Sequence, residues 1–289
     1  MEASLYFNSV QKIIANGGPE PSEYSFIKSL PDLSTISLTD EAQIYDILSP
    51  ILDVKSLLGY TFQKPRGYAG DFELIDRIYN KWISDDVDFQ KWDTLYHELE
   101  SSKAVINRKK YFIDEITSLN NKKQKLEVLD LGSGPCTDLY EYLYKTKENY
   151  LYFDCLDMDE GAIEFGLGVC DNYYKNVSFI NKNAFRYNPD KEYDLIWSAG
   201  LFDYFSDKLF VRLLNRMYTL LSVDGELIIG NFSTTNPSRR MMETYAQWYL
   251  NHRSEEELIE LAIKAGISED KLEVRSEELG INLFLHAKK

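Results

Sequence analysis

The run Leu126-Glu-Val-Leu-Asp-Leu-Gly-Ser-Gly-Pro135 constrains the fold of this chain more than any other segment. Val128, Leu129 and Leu131 suit a strand buried on both faces of a parallel sheet. The strand carries an acidic residue near its end, Asp130, and opens into Gly132-Ser133-Gly134, a turn at which a ligand can approach the backbone closely. A helical pattern follows from about residue 136. Strand, glycine turn and helix in that order make nucleotide-binding architecture.

The choice of ligand rests on what surrounds the glycines. A dinucleotide fingerprint needs a third glycine so that pyrophosphate reaches the helix N-terminus. Here Pro135, Cys136 and Thr137 follow Gly134, and the chain has no G-x-x-x-x-G-K-[ST] phosphate loop. Asp130 repels a phosphate and attracts an ammonium. S-adenosylmethionine (SAM) carries an ammonium and no phosphate, so the turn is expected to hold SAM.

From residue 125 onward, strands and helices alternate, which predicts an α/β fold: a mostly parallel Rossmann-like sheet with helices on both faces. The expected strands are 126–131, 150–157, 177–182, 193–198, 226–232, 271–277 and 281–287. Helices are expected at about 136–146, 160–171, 206–221 and 238–265, the last broken near His252. The final two strands follow each other without a helix and should pair as an antiparallel hairpin. Residues 1–124 read as a helical cap or substrate region, with apolar periodicity over Ala3–Asn16, Thr39–Leu58, Phe72–Trp82 and Asp93–Leu119. The polar run Asn120-Asn-Lys-Lys-Gln124 is the expected boundary, and residues 233–253 an inserted helical lid.

The formal net charge of −15 argues against nucleic acid as a partner, because phosphate binding relies on a surplus of Lys and Arg. Three scattered cysteines, Cys136, Cys155 and Cys170, form no disulfide framework and no C-x-x-C pair, so no metal is expected. No apolar run of 18 residues and no secretory leader pattern occur, so a cytoplasmic protein without a membrane partner is expected. The sequence does not specify the oligomeric state.

Four sites fall at the expected carboxyl ends of successive strands, where open α/β sheets bind ligands. The first is Asp130 with Gly132, Ser133 and Gly134. The second is Asp157, 23 residues after Gly134, placed to accept hydrogen bonds from ribose hydroxyls, with Met158 covering one adenine face. The third is Asn183, whose amide can read the adenine amino group, with the backbone of Ala184 or Phe185 on a ring nitrogen. The fourth is Ser198-Ala199-Gly200, leading through Leu201 and Phe202 to Asp203 and Tyr204 and expected to pass beneath the sulfonium towards the acceptor.

With these residues the chain resembles Rossmann-fold SAM-dependent methyltransferases over 125–289. Lys64-Pro-Arg-Gly-Tyr-Ala-Gly-Asp71, Ala104-Val-Ile-Asn-Arg108, Gly230-Asn-Phe232, Asn236-Pro237 and Trp248–Arg253 narrow the likeness. They resemble a bacterial group that includes the synthases of hydroxy-fatty-acid methyl esters. The resemblance implies SAM as cofactor and leaves the acceptor open.

On the acceptor side, the loop at Gly67–Asp71 is expected to fold over the cofactor with Tyr68 touching the SAM amino-acid end or the acceptor. Arg66 and Arg108 are expected to bind a carboxylate. Met241, Tyr245, Trp248 and His252, spaced by four, three and four, should share one helix face, as core or as an apolar substrate lid. His252 is the first general-base candidate, and Tyr204 and Asp203 follow the fourth strand, where acceptor-facing groups sit. Methyl transfer from a sulfonium asks mainly for positioning, and a carboxylate acceptor needs no base. O-methylation of a small-molecule carboxylate or hydroxyl is therefore the leading reading. The alternatives are cyclisation of the SAM aminobutyryl arm with release of methylthioadenosine, and a SAM-binding regulator without turnover.

Overall fold

The computed structural model describes residues 3–31, 38–120, 125–146, 151–173 and 175–289. The chain divides into two compact units, Met1–Lys103 with Pro237–Tyr249, and Ala104–Asn236 with Leu250–Lys289. The expected boundary, 120–124, lies outside the described residues apart from Asn120.

The first unit is helical: α1 (Ala3–Ala15), α2 (Tyr24–Lys28), α3 (Leu38–Leu48), α4 (Leu57–Gln63), α5 (Phe72–Tyr79), α6 (Val87–Glu98) and the start of α7 (Glu100–Asn120). The single helix expected over Thr39–Leu58 is interrupted. Pro50 sits in a 3-10 turn after Leu48, and Ser56 caps α4 by accepting from the Gly59 N–H at 2.9 Å. The helix expected over Asp93–Leu119 is likewise two, because Leu99 is extended (ψ 139°) between α6 and α7. Tyr6, Ile27, Leu57, Ile78 and Trp92 are among its buried core.

The second unit carries β1 (Leu126–Leu131), α8 (Thr137–Thr146), β2 (Leu151–Asp157), α9 (Glu160–Val169), β3 (Val177–Asn181), β4 (Tyr193–Ala199), α10 (Asp207–Thr219) and β5 (Leu221–Phe232). After α11 (Arg239–Ala246), which belongs to the first unit, come α12 (Glu255–Lys264), β6 (Leu272–Ser276) and β7 (Asn282–Lys288). The seven strands lie in the order β3-β2-β1-β4-β5-β7-β6. β7 is antiparallel to both neighbours, and the pairs β3–β2, β2–β1, β1–β4 and β4–β5 are parallel. This is the expected α/β sheet with its closing hairpin.

Successive strand residues face opposite sides of a sheet, and Val128 and Leu129 are both fully buried, so both faces are covered. On one face Val128, Phe153, Trp197 and Phe284 pack with Phe112, Ile116 and Leu139; on the other Leu129, Ile196, Ile229 and Leu285 pack with Leu213 and Leu258. Each such side chain contributes about 1.5–3 kcal/mol relative to exposure. Strand order reverses between β1 and β4, and the carboxyl ends on either side of that switch are where open α/β sheets bind ligands.

Among the described residues, no helix is long and apolar enough to cross a membrane.

Candidate functional site

The glycine turn after β1 is fastened to β2 through its own backbone. Gly132 and Ser133 donate N–H bonds to the Leu156 carbonyl at 2.8 and 3.2 Å, and Gly134 donates to Asp157 Oδ2 at 3.0 Å. Asp157 Oδ1 accepts from the Asp159 N–H at 2.9 Å. Gly132 and Gly134 both have left-handed φ, +70° and +55°. A Cβ at Gly134 would meet nothing within 4 Å, so the space over the turn is open. The expected ribose acceptor thus also shapes the turn.

Asp130 is 3% exposed, and its Oδ2 has no hydrogen-bond partner; nor has the buried Ser133 Oγ. Burial first, then the nearby Asp138 and Asp157, hold the Asp130 carboxyl well above the usual carboxylate range. A buried acceptor without a donor is costly. A ligand ammonium at this point would satisfy it, so the residues fit the amino-acid end of SAM. Asp130, Cys136 and Cys155 also bring three possible ligand atoms within 4.8 Å of one another, all buried.

Asn183 is exposed and caps the short turn Ala184–Arg186, its Oδ1 accepting from the Phe185 N–H at 2.9 Å. That amide is therefore engaged, and of the two expected backbone donors Ala184 is the better placed for an adenine nitrogen. Met158, at 71% exposure, stands open beside Asp157. The Ser198 side chain differs from expectation. It is fully buried and donates to the Leu131 carbonyl at 2.7 Å, tying β4 to β1 rather than facing a ligand. Ala199 ends β4, and Gly200 follows with φ +110°.

Asp203 and His252 are likewise engaged by their own surroundings. Asp203 Oδ1 accepts from the Phe232 N–H at 2.7 Å, and its carbonyl accepts from the Asn251 N–H at 2.8 Å and Nδ2 at 2.9 Å. Burial raises its carboxyl to about 6, against the pull of the Phe232 N–H and of Arg108 and Arg253. His252 lies outside any helix: α11 ends at Ala246, Gln247 turns left-handed, and Ser254 opens α12 with a capping box to Glu257. The stripe expected through Met241, Tyr245, Trp248 and His252 is therefore not one helix face. His252 Nδ1 bonds the Leu250 carbonyl and Nε2 the Asn236 amide, each at 3.2 Å.

Sequence reasoning missed the residue that organises this region. Buried Arg253 donates to Asn231 Oδ1 (2.8 Å), the Phe205 carbonyl (2.6 Å) and Asp207 Oδ1 (3.0 Å), and lies 4.7 Å over the Phe210 ring. Its position in the quoted Trp248–Arg253 segment was the only signal. Asp138, buried near Asp130, was also missed; an Asp in the first turn of a helix reads as a capping residue. Tyr204 is partly exposed, and Arg108 is buried on α7.

Four expected residues belong to the helical unit. Tyr68 is partly exposed in the turn before α5, whose N-cap is Asp71, accepting from the Leu74 N–H at 3.0 Å. Arg66 pairs with Glu73 at 3.2 Å and lies 4.8 Å over Phe72. Tyr245 is wholly buried with its hydroxyl 2.9 Å from that of Tyr6, and Trp248 is buried beside Leu58, Tyr96 and Met242. Both serve the core of their unit.

Comparison with known proteins agrees with this geometry. A family model described as a methyltransferase domain matches residues 122–277. Malonyl-(acyl-carrier protein) O-methyltransferase 1 of Ilyobacter polytropus is 27% identical over 114 residues, covering 39% of this chain and 41% of that protein. The chain thus matches about two-fifths of that curated relative's length. A crystal structure of a Bordetella parapertussis protein aligns over 100% of this chain and 97% of its own, with a TM-score of 0.69 and 14% identity. Magnesium protoporphyrin IX methyltransferase from Synechocystis, solved with bound S-adenosylhomocysteine, aligns over 66% of this chain and 87% of its own, at TM-score 0.51 and 11% identity. The family match and the seven-stranded sheet place the chain in the methyltransferase-domain family, as a class I SAM-dependent methyltransferase.

Proposed function

We propose that this methyltransferase methylates an oxygen of a small molecule, with a carboxylate as the preferred acceptor over a hydroxyl. The observation that carries the reading is the engagement of His252, the first base candidate, and of the buried Asp203. His252 has both ring nitrogens in hydrogen bonds, and Asp203 spends Oδ1 on the Phe232 N–H. A carboxylate is already ionised and nucleophilic at neutral pH, and so is indifferent to the lack of a base. The curated relative named above, an O-methyltransferase, supports the same reading.

SAM supplies a methyl group already activated by its sulfonium; what this chain adds is placement and exclusion of water. In the proposed arrangement Asp130 takes the ammonium, Asp157 the ribose hydroxyls, and Asn183 with the Ala184 amide the adenine edge, while Met158 covers the adenine face. Tyr204 is the proposed acceptor-side group in this unit, on its exposure and chemistry. The acidity of the chain supports a small molecule over nucleic acid, and three free, buried cysteines support a cytoplasmic location.

The test is to incubate the purified protein with methyl-labelled SAM and separate panels of carboxylic acids, alcohols and amines. Alkali-labile labelled esters with S-adenosylhomocysteine are expected. Label confined to amine products overturns O-methylation. Methylthioadenosine formed from SAM alone replaces methyl transfer with cyclisation of the aminobutyryl arm.

A further inference from the structure

Asp130 and Cys155 stand opposite each other in the parallel register of β1 and β2, so their side chains leave the sheet on the same face. Cys136, between the glycine turn and α8, packs with Cys155 on that face. Its φ of +54° is one that side-chain-bearing residues rarely adopt. Its Sγ donates to the Ser133 carbonyl at 3.8 Å and accepts from the Cys155 thiol. The two sulfurs and one carboxylate oxygen of Asp130 lie within 4.8 Å of one another. Both cysteines are wholly buried, and Asp130 nearly so. No C-x-x-C pair announces such a cluster, because strand register rather than spacing along the chain brings its members together.

Asp130 Oδ2 is buried without a hydrogen-bond partner, so the cluster contains an acceptor that asks for positive charge. An ammonium meets that demand, and so does a cation that also takes sulfur. Two thiolates and a carboxylate suit a thiophilic divalent ion of the zinc type, whereas magnesium and calcium prefer oxygen ligands alone. With Zn–S about 2.3 Å and Zn–O about 2.0–2.2 Å, ligand atoms in a tetrahedral site stand roughly 3.4–3.8 Å apart. The cluster therefore has to close by no more than about 1.5 Å.

We propose that Asp130, Cys136 and Cys155 form a site for a zinc-type ion, and that this ion and SAM exclude each other by competing for the Asp130 carboxylate. Three protein ligands leave the fourth position to water. The ion is then an inhibitor of the enzyme and not part of its chemistry. The competition rests on Asp130 as the seat of the SAM ammonium, as proposed above; the metal site does not depend on it.

Cobalt(II) and cadmium(II) are the probes, added to the full chain after chelation and reduction with a phosphine. One equivalent of either should give sulfur-to-metal charge-transfer absorption, with the visible bands of a tetrahedral site for cobalt, and magnesium should give neither. Cys136→Ala and Cys155→Ala should each diminish the charge-transfer band and weaken binding at least about tenfold, since even residues that only support a ligand are worth about that much. Cys170→Ala, at the third buried cysteine, should change neither. Should one ligand variant not fold, the other carries the comparison. Zinc at ten times its own Kd should raise the apparent Kd of SAM about tenfold, and SAM should bleach the cobalt bands. Absence of the charge-transfer band, or a band unaltered in both ligand variants, would overturn the site. A sulfur-bound ion that leaves SAM affinity unchanged would overturn the competition, and Asp130→Asn then locates the error. If that variant binds SAM as tightly as wild type, the seat assigned to the ammonium is wrong; if it binds SAM weakly, Asp130 is not a ligand of the metal.

Discussion

At the end of β1, two buried polar atoms, Asp130 Oδ2 and Ser133 Oγ, have no partner inside the protein. At the ends of β4 and β5, Asp203, Asn231, His252 and Arg253 are held by one another and by the backbone. The two regions are only strands apart in one sheet, and both are rich in charged and polar residues. On the proposed reading the difference separates recognition from scaffolding: a group proposed to bind a ligand keeps hydrogen-bonding capacity that the fold has not consumed, whereas a saturated network fixes loop positions. Polarity and location at a strand end do not distinguish the two; the balance of donors and acceptors does.

The contrast can be broken most forcefully at Arg253. Arg253→Met should destabilise the protein by roughly 3–5 kcal/mol in denaturant titrations, because it leaves Asn231 Oδ1 and the Phe205 carbonyl without a buried donor. A loss below about 1 kcal/mol would mean that the network is not the scaffold described.

Asp130→Asn should do the reverse, leaving stability unchanged or raised by removing a buried carboxylate beside Asp138. SAM affinity, read by calorimetry, should fall at least about 30-fold through loss of the ammonium's counter-charge. Retained affinity would place the ammonium elsewhere.

A pH-dependent effect is expected from Asp203→Asn, measured as stability against pH. The folded-state carboxyl titrates at about 6 against an ordinary value of 3.8, so between these values the folded state holds a proton that the unfolded chain has released. The associated stability is complete below about pH 4 and is lost as pH rises through about 6. Asparagine keeps an oxygen for the Phe232 N–H and removes the titration. The variant should therefore lose less stability than wild type across that window, by up to about 3 kcal/mol. Parallel profiles would show that Asp203 is not the group responsible.

The smallest change is expected at Met158, which is open to solvent. Met158→Ala should weaken SAM about two- to fivefold and leave stability within about 0.5 kcal/mol of wild type. A large loss of stability would show that this side chain is structural.

The turn and strand ends proposed to hold the cofactor could be placed from sequence because their signals are local. Asp130, Gly132 and Gly134 lie within one short stretch, and Asp157 ends the next strand, so strand periodicity and glycine spacing place all four at the same sheet edge. The networks were not legible for the opposite reason. Arg253 meets Asn231 and Asp207 across 22 and 46 residues, and Arg108 meets the backbone of Gly200 across a still longer span. Nothing in a linear pattern pairs them. His252 was misplaced because a spacing of four assumes an unbroken helix, and the left-handed Gln247 that breaks it is a residue with no strong tendency to stop one. Helical spacing at Tyr245 and Trp248 did identify buried positions, but burial in the core of the helical unit rather than exposure to a substrate.

The order of the last two strands carries a consequence for synthesis of the chain. β7 follows β6 in sequence yet lies between β6 and β5, pairing from Glu226 opposite Lys288 to Phe232 opposite Asn282. As the protein leaves the ribosome, the hydrogen-bonding edge of β5 stays uncovered until residues beyond 282 emerge, some fifty positions later. During that interval β5, with its apolar run Leu227-Ile-Ile229, presents the kind of open edge on which nascent chains associate. Closing it is a long-range step, and such steps are slow. Completion of the sheet, rather than formation of the glycine turn, is therefore where assembly of this enzyme is most exposed to error.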